Sequence, residues 1–236
     1  MGFLQDNLIP FFRQREIVFR ESRREADDVV SFLFDKPDDL AWKAGQYGLF
    51  TITHKKIKNA TKPFSVSSAP AENVIRITTV VRDNPSAFKR ALLELSPGMK
   101  VTLRGPVGPF YPKDKAPVLF IAGGIGITPI RSILKQIEAE GSGGERQIRL
   151  LYVDSHRRHL FKDELDRIAD RSAVSIDYLD SRDGLYRELD RLADAYRKDG
   201  SIMIAGPQSM VNPLAAELRN RKIPKRNIVK DAFFGY

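Results

Sequence analysis

Apolar positions along the chain change their period near its middle. Through residues 1–112 they fall in short runs, alternating with polar residues or apolar outright: "DVVSFLFD" (28–35), "QYGLFTITH" (46–54), "PFSVSSAP" (63–70), "VIRITTVVRD" (74–83) and "KVTLRGPVG" (100–108). These runs are rich in strand formers. Turn chemistry divides them at Lys36-Pro37-Asp38-Asp39, Lys43-Ala44-Gly45, Ala69-Pro70-Ala71-Glu72-Asn73 and Ser96-Pro97-Gly98. One segment, "PSAFKRALLEL" (85–95), has helical spacing and places Phe88, Leu92 and Leu95 on one face. Many short strands at such intervals predict a closed antiparallel β-barrel.

From residue 117 onward the pattern alternates. "VLFIAG" (118–123) leads into a helix over 128–140, "IRLLYVD" (148–154) into one over 161–170, "VSIDYLD" (174–180) into one over 185–198, and "SIMIAG" (201–206) into one over 208–221. Strand–helix alternation predicts an α/β domain with a doubly wound parallel sheet. The polar, proline-bearing "YPKDKAP" (111–117) marks the junction, giving expected domains 1–112 and 113–236.

Composition narrows the chemistry. The chain has 236 residues, 42% of them hydrophobic, enough for two real cores. It has no cysteine, which removes disulfides, thiolate metal sites, cysteine-held iron–sulfur clusters and thiol nucleophiles. No run reaches the roughly 20 apolar residues of a membrane span, and the N-terminal stretch lacks a secretory layout, so a cytoplasmic protein is expected. The net charge of +9 is scattered, with clusters at "HKKIK" (54–58), "HRRH" (156–159) and "RNRKIPKR" (219–226). No single basic stripe speaks for nucleic acid. His54, His156 and His159 lie too far apart to suggest a metal site.

Two glycine turns end predicted parallel strands. In "AGGIGITP" (122–129), Gly123, Gly124 and Gly126 let backbone N–H groups approach a ligand, while Thr128 and Pro129 suit a helix start as N-cap and first helical residue. In "AGPQSM" (205–210), Gly206-Pro207 repeats the device. Either turn alone reads equally as a tight connection. Together, at the edge where open α/β sheets bind ligands, they point to a nucleotide. Ser155, Arg157 and Arg158 lie beyond a third strand end, where they are either solvated or phosphate ligands. In the first half, "TKPFSVSSAP" (61–70) sets Lys62 before a proline, an aromatic and a serine. It reads either as an ordinary amphipathic strand or as a strand offering charge, ring and hydroxyl to a ligand.

In order, "KPFS", "GPVGPF", "AGGIGITP", "AGPQSM" and the terminal "FFGY" resemble the ferredoxin–NADP reductase superfamily, from about residue 12 to the C-terminus. The resemblance implies an FAD-binding antiparallel Greek-key barrel followed by an NAD(P)-binding α/β domain. The family pattern R-x-Y-S/T falls on Lys62, Pro63, Phe64 and Ser65. Lys62 would meet the flavin phosphate, Phe64 would lie against the flavin, and Ser65 would point at flavin N5. Val80, Val81 and Arg82 match the strand beside the flavin. The family's pyrophosphate loop falls on Ser86, Ala87, Phe88 and Lys89, with Lys89 standing where the family has a hydroxyl.

For the dinucleotide, the resemblance implies Gly123, Gly124, Gly126 and Thr128 at the pyrophosphate, and Gly206, Pro207 and Met210 at the second turn. The thiol of the usual C-G-P-x-x-M is replaced by Ala205. Ser155, Arg157 and Arg158 occupy the loop where relatives bind the 2′-phosphate, a lean toward NADP over NAD. The ending places Asp231 in an acid position, with Phe233, Phe234 and Tyr236 near the flavin. Ser65 and Asp231 are thus the implied catalytic residues. The implied activity is hydride transfer from NAD(P)H to FAD and electron delivery to an acceptor, expected to be a small acidic carrier such as a ferredoxin or flavodoxin. A free-flavin reductase and a non-catalytic nucleotide-binding subunit are the alternatives. Oligomeric state is left open.

Overall fold

A computed structural model describes residues 13–113, 115–141 and 146–233. The chain divides into two compact units between Pro109 and Phe110. No helix among the described residues is long and apolar enough to cross a membrane.

The first unit is a six-stranded antiparallel sheet. Its strands are β1 (Gln14–Ala26), β2 (Val29–Asp35), β3 (Tyr47–Ile52), β4 (Thr61–Ser65), β5 (Val74–Val80) and β6 (Lys100–Val107), in the order β4-β3-β6-β1-β2-β5. Alternation sets the inward face: in β3, Gly48, Phe50 and Ile52 are buried while Tyr47, Leu49 and Thr51 are half-exposed. The chain leaving β4 closes the barrel onto β5, with Ser67 N donating to Arg76 O (2.8 Å), Arg76 N to Ser68 Oγ (3.0 Å) and Ser68 Oγ to Val74 O (2.6 Å). Ser67 Oγ also donates to Arg76 O at 3.1 Å, so two of the three hydroxyls in "FSVSS" close the barrel.

The barrel interior is strung with aromatic rings. Phe32 meets Phe19, Phe19 meets Phe34, Phe34 meets Phe50, Phe50 meets Phe64, and Phe64 stacks on Phe88, with centroids 5.6–6.4 Å apart. Phe88 belongs to helix α1 (Ala87–Leu93), which buries Phe88, Ala91 and Leu92. Trp42 joins this core, its indole N–H buried and without a hydrogen-bond partner. β1 escapes the hydrophobic pattern because "RESRREA" (20–26) carries its exposed stretch; only Ile17 and Phe19 are buried, and the backbone ladders to β6 and β2 hold the rest.

The second unit is a five-stranded parallel sheet. Its strands are β7 (Val118–Gly123), β8 (Ile148–Val153), β9 (Val174–Leu179), β10 (Ser201–Pro207) and β11 (Ile228–Phe233), in the order β11-β10-β7-β8-β9. Helices α2 (Ile127–Glu140), α3 (Lys162–Arg171), α4 (Arg182–Leu192) and α5 (Gln208–Asn220) alternate with them. β7 is buried at every position, as a central parallel strand covered on both faces must be. α4 stops at Leu192 and passes into a short 3-10 turn (Ala193–Tyr196), so the helix expected over 185–198 is interrupted. β11 is an added edge strand where only a terminal motif was expected. Its polar Lys230 and Asp231 break the apolar run that would have revealed it.

Between α2 and α3, the Arg131 guanidinium is almost wholly buried. It grips Glu164 with Nε–Oε2 at 3.1 Å and Nη2–Oε1 at 2.7 Å, and it lies 5.3 Å over the Phe161 ring.

Candidate functional site

β7 is the first strand of its sheet, and the chain builds outward from it to β8 and β9 on one side and to β10 and β11 on the other. The strand order therefore reverses between β7 and β10, and a crevice at such a switch point is where open parallel sheets bind ligands. Both glycine turns sit there. β7 runs level with β10, Ala122 opposite Ala205. A Cβ on Gly126 would lie 2.2 Å from Ala205 O and 2.6 Å from Gly206 Cα, so only glycine lets the two turns interlock. Gly124 differs: its φ is +50°, and a Cβ there would meet nothing within 4 Å. Its conformation favours glycine, and the space beside it is open.

The helices leaving these turns start without a side-chain cap. Gly126 precedes α2 and Pro207 precedes α5, and neither makes a side-chain cap bond, whereas Ser86 caps α1 and Ser181 caps α4. N-terminal donors at the switch point are therefore not satisfied from within by a cap, which suits an anion. Thr128 is not the N-cap expected from its sequence. The glycine turn winds as a 3-10 turn directly into the helix, so Thr128 lies inside α2, buried, and donates its hydroxyl to Ile125 O at 3.1 Å. Met210 packs against both glycines: a Cβ on Gly123 would lie 2.5 Å from its sulfur, and one on Gly206 2.9 Å from its methyl. In this structure Met210 fills space behind the turns.

The loop after β8 holds the expected phosphate ligands, but its charges are engaged. Arg157 Nη2 pairs with Asp180 at 2.6 Å, and Arg158 Nε lies 3.8 Å from Asp154. Asp154 is buried at the end of β8 and also accepts the His156 amide at 2.8 Å. Ser155 is exposed, its hydroxyl 3.5 Å from His156 Nδ1. Sequence reasoning missed Asp154 and Asp180, although both are acids at strand ends. It also missed Tyr152, whose hydroxyl lies 3.2 Å from Gly124 O; within "IRLLYVD" it reads as one more apolar position.

In the barrel, β4 is an edge strand, which tolerates Pro63. Lys62 and Phe64 are half-buried, Thr61 and Pro63 exposed, and Ser65 buried. Phe64 lies opposite Gly48 in the ladder and stacks on Phe88 at 5.6 Å with rings 27° apart. Phe88, expected at the ligand, is a core side chain at 2% exposure. Ser86 accepts the Lys89 amide at 3.4 Å, so its hydroxyl caps α1. Ala87 is half-buried. Val80 and Val81 are also half-buried, and the Val81 amide donates to Asp28 O at 2.6 Å.

Lys89 is half-buried. Burial, and then the neighbouring Arg82 guanidinium, hold its amine below the usual lysine range. Two cations brought together in this way favour an anionic occupant, and the residues present fit a phosphate-bearing ligand such as the implied flavin nucleotide. Asp231 and Phe233 lie in β11 opposite Ala205 and Pro207. Phe234 and Tyr236 lie outside the described residues.

Comparison with known proteins adds to this geometry. Residues 120–215 match the family described as "Oxidoreductase NAD-binding domain". The chain is 24% identical over 241 residues to Flavohemoprotein A of Dictyostelium discoideum, covering 93% of this chain and 60% of that protein. It is 28% identical over 237 residues to the ferredoxin reductase component of 3-ketosteroid-9-alpha-monooxygenase from Mycobacterium tuberculosis, covering 92% of this chain and 65% of that protein. The chain thus spans less than two thirds of the length of these relatives. A solved ferredoxin NADP+ reductase from Neisseria gonorrhoeae with bound FAD and NADP superposes with a TM-score of 0.74 at 18% identity, covering 94% of this chain and 99% of that one. At that identity the likeness is one of fold.

Proposed function

We propose that the chain is a member of the ferredoxin–NADP reductase superfamily and, on that premise, a flavin-dependent NAD(P)H oxidoreductase delivering electrons to a separate redox partner. The observation that carries this reading is the pair of interlocked glycine turns at the sheet's switch point, each running into an uncapped helix. In this reading the barrel, residues 1–112, is the FAD domain and residues 113–236 form the NAD(P) domain.

Bound FAD would supply the chemistry the side chains lack, taking a hydride at N5 and passing electrons on singly or in pairs. The chain's own part is binding, orientation and charge. Lys62, Arg82 and Lys89 supply cations for the phosphates. Lysine does so as a point charge without the fork of arginine. Phe64 offers its half-buried ring to the flavin and Ser65 a hydroxyl near N5. Gly124 and the start of α2 receive the dinucleotide pyrophosphate.

The loop beyond β8 favours NADH over NADPH. Arg157 and Arg158, which would bind a 2′-phosphate, face Asp180 and Asp154, and Asp154 stands buried at a strand end where an acid suits a free ribose 2′-hydroxyl and repels a phosphate. The electron partner would be a separate protein, as the name of the M. tuberculosis relative indicates for that protein. The positive net charge suits an acidic carrier by steering. In the 54–58 loop Lys55, Lys56 and Lys58 are all exposed, and Lys55 and His54 turn to Glu94.

The test is anaerobic reduction of the purified, FAD-loaded protein by NADH and NADPH in parallel. Bleaching of the flavin absorbance by both, faster at equal concentration with NADH, is expected. Bleaching by neither would sink the enzyme reading and leave a nucleotide-binding subunit. Oxidation of NADH only when free flavin is added would favour a free-flavin reductase.

A further inference from the structure

The carbonyl of Gly124 has two hydrogen-bond donors inside the protein. The Ile127 amide closes the 3-10 turn onto it, and the Tyr152 hydroxyl reaches it from β8 at 3.2 Å. A trans peptide is planar, with its N–H pointing opposite to its C=O. Holding the Gly124 carbonyl inward therefore turns the Ile125 N–H away from Tyr152, beside a residue whose missing Cβ leaves open space. An outward N–H at a strand-to-helix glycine turn is what an anion requires.

Tyr152 is well built for holding that peptide. Its ring is fully buried at 0% exposure and packs edge-on against His159, with centroids 5.0 Å apart. His159 in turn places Nε2 3.2 Å from Leu179 O at the end of β9. Burial, and next the Asp154 carboxylate, push the tyrosine's pKa up, so the hydroxyl stays a protonated donor. Tyr152 thus joins the glycine turn, through its hydroxyl, to the chain just beyond the 155–158 loop, through its ring on His159. Phenylalanine would fill the same space and keep the ring contact but lose the bond to Gly124 O.

We propose that Tyr152 is a positioning residue of the dinucleotide site: its hydroxyl fixes the Gly124–Ile125 peptide with the N–H outward, so that pyridine nucleotide meets a preset donor. The inference rests on reading this turn as the dinucleotide pyrophosphate site. It concerns a residue that touches no ligand.

The experiment compares FAD-loaded wild type with Tyr152→Phe. Calorimetry gives the dissociation constants of NAD+ and ADP-ribose, and steady-state assays with ferricyanide give KM and kcat for NADH. Loss of one hydrogen bond that preorganises the site predicts both dissociation constants and KM raised about five- to tenfold, with the loss falling on KM and not on kcat. Flavin content and reduction by dithionite should match wild type, which a general loss of structure would not allow. Equal dissociation constants in the two proteins would overturn the inference while leaving the dinucleotide site standing. A wild type that binds neither NAD+ nor ADP-ribose would remove the site reading, and the inference with it. Should Tyr152→Phe fail to fold, hydrogen exchange on wild type decides: ADP-ribose should slow exchange at residues 123–127 and 158–161 together, and protection of the first segment alone would refute the link.

Discussion

A methyl group added at Gly126 would press on the backbone of Ala205, whereas one at Gly124 would stand in open space, so two glycines of one turn should fail differently. Gly126→Ala forces β10 and α2 apart and should destabilise the second unit by about 1–3 kcal/mol, as overpacking does. Gly124→Leu pays about 1–2 kcal/mol for a left-handed conformation, keeps the fold, and blocks the anion approach. Flavin absorbance and NAD+ titration separate them: Gly124→Leu should keep its flavin and lose NAD+ binding. Loss of flavin from Gly124→Leu would mean that the turn serves the other cofactor.

Lys89 makes a pH prediction at the same scale. Its amine is depressed by burial and by Arg82, so it loses its proton at a lower pH than an ordinary lysine. If the charged form holds the flavin phosphate, affinity for FAD should fall as pH rises through that lowered range. Lys89→Gln should bind FAD more weakly and lose this pH dependence. Recovery of flavin fluorescence on release reads both.

At the level of elements, α2 and α3 are joined by the pair of buried Arg131 and half-buried Glu164. Glu164→Gln removes a counter-charge from a buried guanidinium and should cost about 3 kcal/mol, read from denaturant unfolding. Replacing both partners by apolar residues of similar volume should cost less, because no charge is then stranded.

The elements themselves were mostly legible. Period-2 runs marked β2 to β6, and apolar runs before glycine marked β7 and β10. β1 was not legible, because backbone ladders hold a strand whose outer half is charged. Thr128 looked like a cap because its neighbours suit one, but the glycine turn had already started winding. The arginines of the 155–158 loop looked available because Asp180, which neutralises Arg157, lies 23 residues away in sequence and is brought near only by β9. Tyr152 was hidden for a related reason: hydropathy records its ring, while its role lies in the hydroxyl.

On the scale of the whole molecule, the change of hydrophobic period marked a real division into an antiparallel barrel and a parallel α/β sheet. Sequence placed the junction in the proline-bearing linker, and the compact units meet at Pro109 and Phe110. Each unit has its own core, an aromatic chain in the first and an aliphatic layer between sheet and helices in the second. Such cores give each unit the means to fold by itself.

Trp42 is the chain's sole tryptophan, and it lies in the barrel core. Indole emission from this protein is therefore a spectroscopic window on one unit. A melting curve followed by that emission describes the barrel and is silent about the parallel sheet, whose state has to be followed by circular dichroism or by its tyrosines.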